Sequence, residues 1–145
     1  MKNILDTIGN TPVVKLQKIV SRGCGEIYLK LEAYNPTGSK KDRMALAMIE
    51  GAEKRGDLKK GMTVVEYSGG STGAGLAFVC SLKGYRFRLI TADVFGKEKI
   101  SLMNSLGADL EVIKSRDGKI TKEMFEMFII QAINCLLYTS PSPRD

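Results

Sequence analysis

"MTVVEYSGGSTGAGLAFVCSLKGYRFRLITA", Met62 to Ala92, is the stretch whose reading decides the fold. A β-branched run ends in a glycine-rich turn, an apolar stretch of helical length follows, and after Gly84 a second strand-like run begins. Two strands joined through a helix cannot form a hairpin; they pair in parallel, with the helix as crossover. The pattern continues on both sides. Downstream lie a helix over Lys97 to Leu106 ended by Gly107, a strand "DLEVI", and a further helix starting near Thr121. Upstream, apolar or small residues recur at Met44, Ala45, Met48, Ile49 and Ala52, a helical period running from Asp42 to Arg55, and Gly56 suits its C-terminal cap. Before that helix, "TPVVKL" (Thr11 to Leu16) and "EIYLKLE" (Glu26 to Glu32) read as short strands. Strands alternating with helices predict an α/β fold: an open, mainly parallel twisted sheet with helices on both faces.

Composition narrows the chemistry. The 145 residues are 43% hydrophobic and 26% charged, as in an ordinary soluble globular chain of about one domain. No apolar run reaches the ~18 residues of a membrane span, and "MKNILDTIGN" lacks a signal-peptide core, which points to the cytoplasm. Cys24, Cys80 and Cys135 are far apart and form no C-x-x-C pair, against a zinc site or a disulfide framework. There is no histidine, so triads, His-ligated metals and His acid–base work are excluded within the chain. Any base must be Lys, Asp, Glu, Tyr or Cys. The net charge of +6 is spread among acidic residues rather than gathered in a basic stripe with interleaved aromatics, which argues against nucleic acid and suits an anionic small ligand.

Ligands of open α/β sheets bind beyond the carboxyl ends of the strands, where loops lead into helices. Two stretches lie there. In "NPTGSKKDRMA", Asn35 to Ala45, the S-x-x-D pattern makes Ser39 the helix cap and puts Lys40 and Lys41 at the first two helical positions. Cations are disfavoured at that end of the helix dipole, so the pair calls for a reason. Lys41 shares its face with Ala45, Met48 and Ala52, which should point inward. Desolvation and the positive field would both favour its neutral form, as a Schiff-base or general-base lysine requires. Two solvated surface lysines are the alternative from spacing alone.

The second stretch, "SGGSTG", offers backbone N–H groups at a helix start and the hydroxyls of Ser68, Ser71 and Thr72, an anion site for a phosphate or carboxylate. No G-K-[ST] follows, so it is not a P-loop, and Phe78 stands where the dinucleotide fingerprint needs a small residue. A close helix–strand packing turn reads equally well. At the other end of the chain, "CLLYTSPSPRD" (135–145) abandons the helical pattern and back-translates to a string resembling a transposase sequencing adapter, so it is set aside from fold reasoning.

"IGNTPVVKL", "LKLEAYNPTGSKKDR", "EYSGGSTGAGLA" and "SLGADLEVI", in this order and spacing, resemble the N-terminal half of the cysteine synthase group of fold-type II pyridoxal-phosphate enzymes. The resemblance runs from about Ile4 to Ile113 and rests most on "NPTGSKKDR". It implies that Lys41 carries pyridoxal 5'-phosphate as a Schiff base and later removes the substrate Cα proton, with Lys40 a variable neighbour. It also implies that Ser68, Gly69, Gly70, Ser71 and Thr72 bind the substrate carboxylate. Ser71 stands where the family usually has an asparagine that contacts the cofactor ring, Gly69 replaces a usual serine, and Tyr67 a usual proline. The reaction implied is β-replacement on an activated serine such as O-acetylserine, with sulfide giving cysteine.

The resemblance further implies that residues 1–134 are the N-terminal half of such an enzyme. Residues from about 40 to 134 would form the smaller domain, and the strands of 1–39 would join the larger one. The family's phosphate loop and the residue facing the pyridine nitrogen belong to its second half, so this chain is expected to lack a complete cofactor site and to be inactive alone. The parent is expected to be a cytoplasmic homodimer acting on an amino acid and a sulfur donor, with no metal, nucleic acid or membrane partner. Rival readings are a cystathionine-synthase-like or dehydratase-like member of the fold, a binding protein that has lost catalysis, and a dinucleotide-binding domain.

Overall fold

The computed structural model describes residues 3–21, 23–115, 117–134 and 138–139. Its centre is a parallel four-stranded sheet in the order β5 (Asp109–Ile113), β4 (Arg86–Ala92), β3 (Thr63–Tyr67), β6 (Tyr138–Thr139). Strand β3 runs beside β4 in the register Thr63↔Arg86 to Tyr67↔Ile90, as the strand–helix–strand reading requires. Of the adapter-like stretch 135–145, only Tyr138 and Thr139 fall among the described residues, where they pair with Val64 and Val65; the rest lies outside them.

Alternating side chains of the strands serve two cores. Val64, Phe87 and Leu89 pack with helices α1 (Lys41–Arg55), α2 (Ser71–Lys83) and α3 (Lys97–Ser105), while Val65, Ile90 and Ala92 pack with Met124 and Phe128 of α4 (Lys122–Asn134) on the opposite face. After β3 the chain steps to β4 and then β5, and after α4 it returns to the other side of β3. The loop after β3 opens beyond the carboxyl ends of β3 and β4, the side on which such sheets hold ligands.

The inward stripe of α1 is as its spacing predicts: Ala45, Ile49 and Ala52 are buried, and the helix closes on Gly56 in the left-handed region at φ 79°. Helix α2 is apolar almost all round because it lies between α1 and the sheet. Gly75 makes that approach possible, since a Cβ there would lie 3.1 Å from the Lys41 carbonyl oxygen and 3.3 Å from Ala45 Cβ. The start of α1 thus touches the second turn of α2.

Three expectations shift. Strands β1 (Val13–Lys15) and β2 (Tyr28–Lys30) exist but are three residues each and form a separate antiparallel ribbon, exposed at every residue. Helix α2 begins at Ser71, so the second half of the glycine turn is already its first turn. Helix α1 is capped at Lys40 rather than Ser39, and Lys41 is its first residue rather than its second. The reason lies in Asp42, whose carboxylate turns back to the preceding loop and accepts from Thr37 instead of completing a capping box.

Candidate active site

Asn35 to Gly38 forms a turn closed by the Gly38 N–H donating to the Asn35 carbonyl at 2.8 Å, with proline at its second position. The turn is fastened on both sides. Asn35 is buried; its Oδ1 accepts from the Gly9 N–H at 2.9 Å, and its Nδ2 donates to Glu32 Oε2 at 2.9 Å. The fully buried Asp42 accepts from the Thr37 N–H at 2.7 Å and from the Thr37 hydroxyl. Ser39 Oγ takes the Lys41 N–H at 3.2 Å. These bonds satisfy the loop and set the angle at which α1 starts.

Lys41 leaves that start half-buried, and the nearest partner of its Nζ is Met44 Sδ at 3.8 Å, not a carboxylate. Its amine is therefore held near an apolar surface without an ion pair among the described residues. It lines an open cleft of about 600 Å³ together with Lys30, Glu32, Lys40, Arg43 and Met44. Lys40 is exposed, so the two adjacent lysines have different surroundings.

Arg43 supports the cleft from below. Its Nη2 donates to Glu32 Oε1 at 2.9 Å and Thr11 Oγ1 at 3.0 Å, and its Nε donates to Glu32 Oε2 at 3.2 Å. This fork ties the loop after β2 and the segment before β1 to α1. The hydrogen bonds from Arg43 are the main reason the Glu32 carboxyl is pulled from its ordinary 4.5 down to about 2. Because the folded value is the lower one, the contribution of Glu32 to stability is complete above about pH 4.5 and is lost as the pH falls towards 2. Thermal unfolding followed by circular dichroism between pH 5 and pH 2.5 should show a falling midpoint, and Glu32→Gln should flatten the dependence roughly within the range that one titrating carboxylate governs. An unchanged slope in that variant would remove Glu32 as the cause.

The glycine turn lies at the β3 end of the same region. Ser68 is buried, and its Oγ accepts from the N–H groups of Gly73 at 3.0 Å and Gly70 at 3.3 Å. It caps α2 from inside the loop, because Gly70 at the cap position has no side chain. Of the first three α2 N–H groups, Gly73's is taken by Ser68, while Ser71 and Thr72 stand at the first two positions, where a helix supplies no acceptor of its own. Both residues are half-buried. The arrangement presents two N–H groups, two hydroxyls and the positive end of a helix dipole to an anion. Gly70 faces open space, whereas Gly69 is covered: a Cβ on it would lie 2.1–2.3 Å from the ring of Phe95.

The Lys41 backbone meets α2 at Gly75, four residues past Ser71, while the cleft that Lys41 lines includes none of Ser68–Thr72. Ser68 is engaged in holding the turn itself, leaving its proton to give, while Ser71 and Thr72 hold the outward positions. The sequence reading missed Thr37, Asp42 and Phe95. Phe95 lies just past the carboxyl end of β4, and the rule that ligands gather at such ends was the available signal. Cysteine is set apart from the chemistry in one case: burial pushes the Cys80 thiol up to about 12, so it is not a thiolate. Among the described residues no His, Cys, Asp or Glu cluster could hold a metal, and no helix is long and apolar enough to cross a membrane.

Residues 4–142 match the family model described as pyridoxal-phosphate dependent enzyme. The chain belongs to that family. Among curated members, it is 49% identical over 108 residues to cysteine synthase of Staphylococcus aureus, covering 74% of this chain and 35% of the relative. It is 45% identical over 118 residues to cysteine synthase B of Escherichia coli, covering 81% of this chain and 39% of the relative. The chain thus spans little more than a third of the curated relatives it matches. Among solved structures, O-ureido-L-serine synthase superposes with a TM-score of 0.85 at 35% identity, over 96% of this chain and 43% of that one. A hydrogen sulfide-producing enzyme from Fusobacterium nucleatum gives 0.82 at 39% identity, over 96% and 45%. The α/β fold expected of this family is the fold observed.

Proposed function

We propose that the protein containing this chain carries out pyridoxal-phosphate-dependent β-replacement on an activated serine such as O-acetylserine, with sulfide as the incoming nucleophile and cysteine as product. One observation carries the reading: Lys41, without a carboxylate partner among the described residues, opens the helix whose backbone meets α2 at Gly75, four residues past Ser71 of the glycine turn. The identities of 49% and 45% to cysteine synthases support the same choice of reaction. The residues here fit the cofactor at its attachment point, for Lys41 supplies a primary amine on an open cleft that also carries Lys30, Lys40 and Arg43. When bound, the cofactor supplies the electron sink that makes a substrate Cα proton removable.

The chain's own residues do the rest. Lys41 Nζ holds the cofactor covalently and, once released, is the base that takes the Cα proton. The Ser71 and Thr72 N–H groups and hydroxyls hold the amino-acid carboxylate, fixing which bond at Cα faces that base. Ser71 is shorter than the asparagine usual at its position, so its reach towards the cofactor ring is reduced. In this reading residues from about 40 to 134 belong to the smaller domain and the β1–β2 ribbon to the larger one; the parent works in the cytoplasm as a homodimer.

The test starts from source DNA read through codon 134 with primers unrelated to sequencing adapters, and uses the longest reading frame that contains the chain. Its product, loaded with pyridoxal phosphate and reduced with borohydride, should yield a tryptic peptide labelled at Lys41 and not at Lys40. It should form cysteine from O-acetyl-L-serine and sulfide. Labelling absent from Lys41, or spread evenly over surface lysines, would overturn the assignment.

A further inference from the structure

The contact between Gly69 and Phe95 is closer than packing alone requires. The ring lies where any side chain on residue 69 would have to be, with its Cδ1, Cγ and Cδ2 atoms 2.1, 2.2 and 2.3 Å from an added Cβ. Contacts under 3.0 Å cannot stand, and here the obstacle is a ring carbon near its attachment rather than a flexible tip.

The loop that carries Phe95 is fastened at two points. Phe95 closes a turn in which its N–H donates to the Ala92 carbonyl at 3.2 Å, and Asp93 in that turn accepts from the Ser115 N–H at 2.9 Å, fastening the loop to the segment after β5. Its ring meets Tyr67 at 6.4 Å and 57°, and Tyr67 in turn stacks on the fully buried Phe128 at 4.0 Å and 15°. The aromatic series runs from the α4 core to the glycine turn, and its last member is seated on Gly69. Two successive glycines would otherwise leave Gly69–Gly70 with many conformations to lose. The ring removes that freedom on one side, and the open space at Gly70 leaves the other side for a ligand.

We propose that Gly69 and Phe95 are a matched pair in which Phe95 is a positioning residue: its ring pins the turn so that the Ser71 and Thr72 N–H groups stay aimed at an amino-acid carboxylate, which enters past Gly70 with an aromatic wall beside it. The proposal rests on the reading of this turn as the carboxylate site. A serine at position 69 cannot coexist with the ring, so the Gly69→Ser variant must displace either the turn or Phe95. Removing the ring as well gives the serine room.

The probe is L-serine, titrated into the 15N-labelled full reading-frame product loaded with pyridoxal phosphate, with amide shifts of Gly70, Ser71 and Thr72 as readout beside KM and kcat for O-acetyl-L-serine in the same protein. Gly69→Ser should weaken L-serine binding by about tenfold and raise KM by a similar factor with kcat little changed, the low end of an overpacked contact. Phe95→Ala alone should also weaken L-serine binding, because the turn loses its pin, and the double variant Gly69→Ser/Phe95→Ala should bind better than Gly69→Ser, a rescue that simple damage to the fold would not give. Gly69→Ser without effect, or a double variant no better than the single one, overturns the pair. Absence of L-serine shifts at these amides in the unmodified protein overturns both the pair and the carboxylate reading. Shifts that follow the expected pattern in a protein that makes no cysteine support the pair and count against the reaction alone.

Discussion

The Lys41→Ala variant of the full reading-frame product is expected to lose cysteine formation by about 10²–10⁴-fold or more, the range that removal of a positioned acid–base group spans. Two separate losses combine in it: the covalent hold on the cofactor, and the amine that takes the Cα proton. They can be separated by adding methylamine, which replaces the mobile base but not the attachment, so partial rescue of rate without recovery of the borohydride-trapped peptide is the expected pattern. The fold should be preserved, because among the described residues Lys41 makes no ion pair and the hydrogen-bond partner of its Nζ is Met44 Sδ. A variant that keeps its activity would transfer the protein to the binding-only reading, in which no covalent chemistry is needed.

The second large effect concerns stability. Asp42 is fully buried and accepts from both the N–H and the hydroxyl of Thr37. Asp42→Ala leaves the Thr37 N–H without its partner and removes a negative charge from the positive end of α1. Hydrogen bonds to charged groups contribute about 1.5–3 kcal/mol each, so a loss of roughly 3 kcal/mol is expected in urea unfolding. Asp42→Asn keeps one carbonyl acceptor and should recover part of it. Equal stability of the alanine variant and the unmodified chain would show that the Thr37 contacts contribute nothing net.

Much of the fold was legible because its signals are local. The period of Met44, Ala45, Met48, Ile49 and Ala52 marks one face of α1, and "RFRLITA" and "DLEVI" have the composition of strands, so β4 and β5 begin and end where the sequence suggests. Lys41 and the glycine turn were legible for a different reason: their order and spacing resemble a family. What could not be read depends on contacts across the chain. Asp42 looked like half of a capping box, since a capping pattern is defined by spacing, yet Thr37 competes for the same carboxylate from the other direction. Phe95 drew no reading from the sequence, because its role exists only where Gly69, 26 positions earlier in the numbering, comes under its ring. The strands at the N-terminus were recognisable, but not that they would pair with each other.

The short run Lys40, Lys41, Asp42, Arg43 shows what a helix start does to neighbouring charges. Each step around a helix turns the side chain by about 100°, so four consecutive ionisable residues face four directions. Lys40 and Lys41 both border the cleft, Lys40 exposed and Lys41 half-buried, while Asp42 goes into the protein and Arg43 bonds to Glu32. Within the doubled lysine, Lys41 is set apart by its burial and its contact with Met44 rather than by sole access to the cleft. Deleting one residue from the loop before the helix would exchange all four assignments at once, which makes the length of that loop as much a part of the chemistry as the lysine itself.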